Sequence, residues 1–211
     1  MKKIALTMLP VALTLTLLAG CAPNGGKTGG EISNPVIDNI MARRSVRAYK
    51  AVPVGRDTMN VILKCGINAP NAMNSQNWEV RVLDNADEIA AVTKIFAEAN
   101  PDQAARPGFV NMFRNAPTVA FVAHKADAGM SQIDCGLLGE NMMLAAQSLG
   151  IGTCCLGGPV RFLTDSCPDF LKKLDFSEGY ELLFAIAFGY TDTCRKAERR
   201  IQSPLRRVKL C

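Results

Sequence analysis

Among its 211 residues the chain has a single histidine, His124, and a single tryptophan, Trp78. One histidine excludes any mechanism that needs two within one chain, His-rich zinc centres and two-histidine proton relays among them. No C-x-x-C pair occurs, so no structural zinc site, and no metal, is expected. There is no G-x-x-x-x-G-K-[ST] loop and no G-x-G-x-x-G between a strand and a helix. Gly150, Ile151 and Gly152 follow a helical stretch, the wrong order for a dinucleotide fingerprint. Without a G-x-S-x-G elbow, a Ser-His-Asp hydrolase would have to use His124, directly after a strand. The main apolar run, residues 4–18, falls short of the ~20 residues of a membrane span.

What is present is an ordinary globular composition, 48% hydrophobic and 20% charged, which argues against disorder, collagen and long coiled coil. The length suits one domain with arms. A net charge of +5 is mild, and no nucleic-acid partner is expected from it.

The N-terminus reads as an export signal. Lys2 and Lys3 precede the apolar run, which ends in Leu18, Ala19, Gly20 and Cys21. That ending looks like a bacterial lipobox, with cleavage before Cys21 and lipid on its sulfur. The expected organisation is a signal peptide over 1–20, a lipidated cysteine and flexible tether over 21–34, and a folded domain over 35–211. The expected location is the bacterial cell envelope, lipid-anchored, with the domain outside the cytoplasm. The glycine-rich stretch 22–30 would span roughly 15–18 Å as a random coil. Cys65, Cys135, Cys154, Cys155, Cys167, Cys194 and Cys211 lack disulfide-scaffold spacing and are read mainly as buried apolar thiols.

Periodicity predicts helices over 36–44 (capped by Asn34, with Pro35 in the first turn), 57–68, 85–99, 131–149 and 164–174. Strands are expected over 79–83, 118–123, 151–156 and 181–188, the last ending at Gly189, so the class is α/β or α+β. On the long helix, Ile133, Leu137, Leu144, Ala145 and Leu149 form an apolar stripe with Asn141 on the same side. Gly136 and Gly139 leave room for a neighbouring helix, either within the chain or from a second subunit.

Three polar clusters stand out. Arg43, Arg44, Ser45 and Arg47 place three guanidiniums and a hydroxyl at a helix end, a donor set suited to phosphate. Pro70, Asn71, Ala72, Asn74, Gln76 and Asn77 form a carboxamide-rich loop, suited to the polar edge of a heteroaromatic ring. The third cluster, from Arg195 to Lys209, carries seven cations against Glu198.

Together these pieces resemble the FMN-dependent nitroreductase family, from about Val36 to Leu210. Arg43-Arg44-Ser45-Val46-Arg47-Ala48-Tyr49 matches its opening R-R-S-x-R-x-[FY]. Asn74, Gln76 and Trp78 match A-P-S-[AG]-x-N-x-Q-P-W, whereas Asn71 replaces the serine and Asn77 the proline. Asn115-Ala116-Pro117, Asp134-Cys135-Gly136 leading to Asn141, and Leu149-Gly150-Ile151-Gly152 follow in order. Gly189-Tyr190 stands at G-[YF]-P, with Thr191 in place of proline.

The resemblance implies an α+β, nitroreductase-like fold with a central, mainly antiparallel sheet flanked by helices, in an intertwined homodimer with FMN at the interface. It implies that Arg43 and Ser45 hold the phosphate, with Arg44 in the same region, and that Arg47 faces the N1/O2 edge. Pro70, Asn71, Ala72, Asn74 and Gln76 would approach from the other subunit. Gly157 and Gly158 would bring backbone N–H groups to N5 and O4, and Arg199 or Arg200 would return to the phosphate. The implied activity is ping-pong hydride transfer from NAD(P)H or another reductant to a nitroaromatic, a quinone or a similar electron-poor acceptor. No protein acid or base is demanded. Two other readings are a non-catalytic flavin- or tetrapyrrole-binding lipoprotein, motivated by Asn71 and Asn77, and an anionic-lipid module using the basic tail.

Overall fold

The structure, a computed structural model, describes residues 32–191. Cys21, the signal region, and the C-terminal cluster with Arg199 and Arg200 lie outside the described residues. Among the described residues, 34–191 belong to one structural unit.

The chain begins with α1 (Pro35–Ala42), capped by Asn34, whose side-chain oxygen accepts from Val36 N and Ile37 N. Next come α2 (Arg56–Ile67), β1 (Trp78–Leu83), α3 (Ala86–Ala99), capped by Asn85, and α4 (Pro101–Ala104). After β2 (Thr118–Lys125) comes α5 (Ser131–Ser148), the longest helix among the described residues; Gly150 beyond it takes the left-handed φ of +73° that glycine tolerates. The chain continues through β3 (Ile151–Leu156), α6 (Gly158–Ser166), α7 (Pro168–Leu174) and β4 (Tyr180–Tyr190).

Among the described residues four strands pair antiparallel in the order β1-β2-β4-β3, so the expected α+β class with a central, mainly antiparallel sheet holds. β2 is buried along seven of its eight residues, which requires cover on both faces. Val119 and Phe121 point to one core, shared with α3, α6 and α7; Ala120 and Val122 point to the other, shared with α2 and α5. On β4, Ala185 and Ala187 divide from Ile186 and Phe188 in the same way. Each fully buried Phe or Ile here contributes about 1.5–3 kcal/mol.

Three expectations need correction. Residues 164–174 are two helices, not one: α6 starts at Gly158, and the chain breaks at Cys167 because Pro168 opens α7. β4 runs through Gly189 to Tyr190, where β3 still supplies partners. On α5, Ile133, Leu137 and Leu149 are exposed, and Leu144 and Ala145 only half-buried. Its buried face is Asp134, Cys135, Leu138, Gly139, Met142 and Ala146. Apolar residues lie all round this helix, so periodicity could not say which side met the sheet. Gly139 is used within the chain, since a Cβ there would meet the Phe184 ring at 2.9 Å. At Gly136 nothing lies within 4 Å.

Candidate functional site

Leaving α1, the basic segment lies along one edge of the sheet. Val46 N donates to Thr153 O at 2.8 Å, and Lys50 N to Tyr190 O at 2.9 Å. Bridges join Ser45 to Thr153 and Tyr49 to Thr191. Two glycines allow this approach. A Cβ on Gly152 would sit 2.9 Å from Val46 Cβ, and one on Gly189 would sit 2.8 Å from Tyr49 Cδ1. The Tyr49 hydroxyl donates to Val46 O at 2.5 Å, and burial raises its pKa, so it stays a neutral donor.

The three arginines do different things. Arg43 is tucked in, its side chain 12% exposed, with Nε 4.0 Å from Glu140 Oε1 and Nη1 buried without a hydrogen-bond partner among the described residues. Arg44 Nη1 donates to Met41 O at 2.6 Å and Arg43 O at 2.8 Å, so that nitrogen satisfies carbonyls at the C-terminus of α1. Arg47 and Ser45 are exposed, and Arg47 Nη1 donates to Ser45 O at 3.3 Å. Ser45 and Arg47 thus share the open side while Val46 packs inward, as the alternation of an extended segment requires.

β3 leads from this edge to Gly157 and Gly158, where α6 begins without a side-chain cap. Gly157 lies four residues beyond Thr153, about 13 Å along a strand. Both glycines are exposed, and a Cβ on either would project into open space. Cys155, between them and Arg43, is held above its ordinary pKa by burial and Cys154, with Glu140 adding and Arg43 opposing, so it rests as a thiol.

The carboxamide loop is elsewhere. It precedes β1, the opposite edge strand, three strand spacings or about 14 Å from β3. Residues 72–74 form a 3-10 turn, and Met73, Asn74 and Gln76 all take φ near +50°. Each such non-glycine residue costs about 1–3 kcal/mol and needs its surroundings to hold it. Asn71 Oδ1 accepts from Gln76 N at 2.9 Å, closing the loop, and Asp134 Oδ1 accepts from Ala72 N at 3.1 Å. Pro70, Asn74 and Gln76 are exposed.

The structure therefore gathers Arg43, Ser45, Arg47, Gly157 and Gly158 at one edge, and Pro70, Asn71, Ala72, Asn74 and Gln76 at the other. Both groups border α5, the loop through Asp134 and the basic segment through Glu140, six residues or about 9 Å apart along the helix. Asp134 and Glu140 were not read as site residues from the sequence; the signals for Asp134 were its place in the Asp134-Cys135-Gly136 motif and in the first turn of a long helix.

The family model for the nitroreductase family matches residues 40–190, most of the chain and both groups of residues. The chain belongs to the nitroreductase family. A curated relative, an NADPH-flavin oxidoreductase of Vibrio harveyi, is 25% identical over 80% of this chain and 70% of its own. A putative NADH dehydrogenase/NAD(P)H nitroreductase of Archaeoglobus fulgidus is 30% identical over 56% of this chain and 64% of its own. A nitroreductase with bound FMN from Bacteroides fragilis superposes with a TM-score of 0.69 at 26% identity, covering 81% of this chain and 96% of that one. One from Desulfitobacterium hafniense, also FMN-bound, gives 0.73 at 24% identity over 85% and 100%, a likeness of fold.

Two features of this nitroreductase-family chain bear on the remaining readings. Asn71 and Asn77, its departures from the family pattern, are both built into the loop; Asn77 Nδ2 donates to Ser75 Oγ at 3.0 Å, and Asn77 O accepts from Lys125 N. His124 Nδ1 lies 3.0 Å from Ser131 Oγ, but Ser131 is 1% exposed and its hydroxyl faces the Lys125 and Ala128 carbonyls. That pair fastens β2 to the start of α5 and offers no accessible nucleophile.

Proposed function

We propose that this nitroreductase-family chain is an FMN-dependent oxidoreductase that reduces nitroaromatics, quinones or similar electron-poor acceptors in a ping-pong cycle. The buried Nη1 of Arg43, without an acceptor among the described residues, supports this reading most directly. A desolvated guanidinium nitrogen left unpaired is costly, and a phosphate satisfies it with a charge-assisted bond. Ser45, exposed two residues farther on, adds a hydroxyl to the same segment. Gly157 and Gly158, farther along the same edge, leave space for a flat ring against backbone N–H groups. The chain's residues thus fit the group as binders. When bound, FMN supplies a hydride acceptor and donor at N5. The protein positions the ring, and Arg47 sets a fixed positive charge at the open side. No acid or base of the chain is required.

The site is incomplete within one chain, because the carboxamide loop is at the far edge of the sheet. A homodimer paired about the middle of α5 would bring the partner's loop to the Arg43 edge. The exposed Ile133 and Leu137, flanking Gly136, suit such a contact. Gly136→Trp is expected to leave the single-chain fold intact, since its surroundings are open, and to convert a species of twice the chain mass into monomer with loss of flavin binding. Analytical ultracentrifugation reads this directly; a dimer that persists refutes the pairing.

The activity is tested by anaerobic titration of the full-length chain loaded with FMN. Reduction within seconds by NADH or NADPH, followed by reoxidation with a nitroaromatic or quinone, is the expected result. If Cys21 carries lipid outside the cytoplasm, a membrane or periplasmic carrier replaces nicotinamide, and dithionite reduces the flavin where NADPH does not. Reduced flavin that no acceptor reoxidises would favour the non-catalytic binding protein. Absence of bound FMN would end the reading of Arg43, Ser45 and Arg47.

A further inference from the structure

The strained loop has one connection that the proposed flavin site does not itself call for. Within the single chain its left-handed residues Met73, Asn74 and Gln76 are not held by packing: Met73 is 94% exposed, and Asn74 and Gln76 are exposed too. Within the chain, hydrogen bonds hold the loop. Asn71 ties the loop to itself through Gln76 N. The bond from Ala72 N to Asp134 Oδ1, 3.1 Å long, is the one hydrogen bond among the described residues that joins 71–76 to a distant element.

Asp134 is an unusual choice for a structural tie. It is 2% exposed, and its Oδ2 is buried without a partner among the described residues. A buried carboxylate with one oxygen unsatisfied opposes stability, even where the N-terminal turn of α5 offsets part of its charge. A plain hydrophobe would stabilise α5 against the sheet better. What the carboxylate adds is direction: it fixes Ala72 N, and with it the 3-10 turn that presents Asn74 and Gln76.

We propose that Asp134 is a positioning residue for flavin binding, holding the 71–76 loop in its ring-facing form at a cost to the stability of its own subunit. The proposal rests on the flavin reading of the loop. Its signature is a split between stability and binding. In Asp134→Ala the loop loses its anchor. Affinity for riboflavin and FMN falls by the same factor, roughly tenfold or more, because the loop meets the ring and not the phosphate. The melting temperature stays within about 2 °C of the parent or rises. Asp134→Asn keeps an oxygen for Ala72 N and restores most of the affinity.

The test uses the full-length chain and its Asp134→Ala and Asp134→Asn variants. Flavin affinities are read by fluorescence quenching, stability by thermal melting, and the loop by Trp78 emission and by protease cleavage within 71–76. Trp78 is the sole tryptophan of the chain and directly follows the loop, with its N–H on Gln76 O at 2.8 Å. Expected are a changed Trp78 emission and faster cleavage in the alanine variant, with asparagine close to the parent. Unchanged emission, cleavage and affinity in Asp134→Ala overturn the proposal. So does a fall in affinity that follows a fall in melting temperature and is not rescued by asparagine. If the parent binds no flavin, the functional reading fails separately, and emission and cleavage still decide whether Asp134 holds the loop.

Discussion

Arg43→Ala is expected to weaken FMN binding by about 2–4 kcal/mol, roughly a hundredfold, and to leave riboflavin binding nearly unchanged. The side chain is 12% exposed, so its charge is largely removed from water. Its Glu140 contact, at 4.0 Å between Nε and a carboxylate that is itself 49% exposed, is a weak ion pair. The guanidinium therefore has attraction left for a phosphate, and riboflavin, which lacks one, does not call on it. Arg44 is the internal comparison. Its Nη1 is spent on the Met41 and Arg43 carbonyls, so Arg44→Ala should cost about 1 kcal/mol of stability and alter FMN affinity much less. Fluorescence titration with the two flavins measures both. Equal losses for FMN and riboflavin in Arg43→Ala would remove the phosphate from Arg43.

Gly152→Val should be nearly as damaging to binding, by way of the backbone. The residue is buried, and a Cβ there would already be 2.9 Å from Val46 Cβ and from Thr191 Cγ2. These are not the ends of flexible side chains, so a branched residue must push the 45–50 segment off the sheet edge. The bond from Val46 N to Thr153 O then breaks, and Arg43 and Ser45 lose their place relative to Gly157. Overpacking of this kind costs about 1–3 kcal/mol, and with the lost bond a fall of roughly 5–10 °C in melting temperature is expected. FMN affinity should fall with it. Thermal melting and flavin titration on one preparation measure both. An unaltered affinity would mean that the segment is held by something other than its fit over Gly152.

How much could be read in advance varied from element to element. Asn34 before Pro35, Asn85 before an apolar-periodic stretch and Gly150 after one all proved to be helix ends, because caps are local hydrogen-bonding or φ requirements carried by single residue types. The four strands were placed to within two residues at either end, since β-branched and aromatic runs bounded by turns have few other uses. Residues 158–163 were missed as helix, although Gly157 is its N-cap and Gly158 and Pro159 open its first turn. The inward face of α5 was misread for a different reason. Leu137 and Leu138 are equally apolar, and only the position of β4 and α2 selects Leu138 for the core.

Taken alone, the residues of the sequence narrowed the class to α/β or α+β and gave the helix ends at Asn34, Asn85 and Gly150, the strands and the three clusters of polar chemistry, because each depends on residues close together along the chain. They also carried the family resemblance, in short motifs whose order survives substitution at Asn71, Asn77 and Thr191. The tertiary structure decided what spacing along the chain does not encode. It separated the basic segment and the carboxamide loop to opposite edges of one sheet, and it gave Gly152 and Gly189 their purpose beneath Val46 and Tyr49. It distinguished Arg43, with a buried nitrogen unpaired among the described residues, from Arg44, bound to its own helix. It also placed the Asp134 carboxylate on Ala72, sixty-two residues away in the chain. Desolvation and long-range pairing are properties of what surrounds a residue, and the surroundings exist only once the chain has folded.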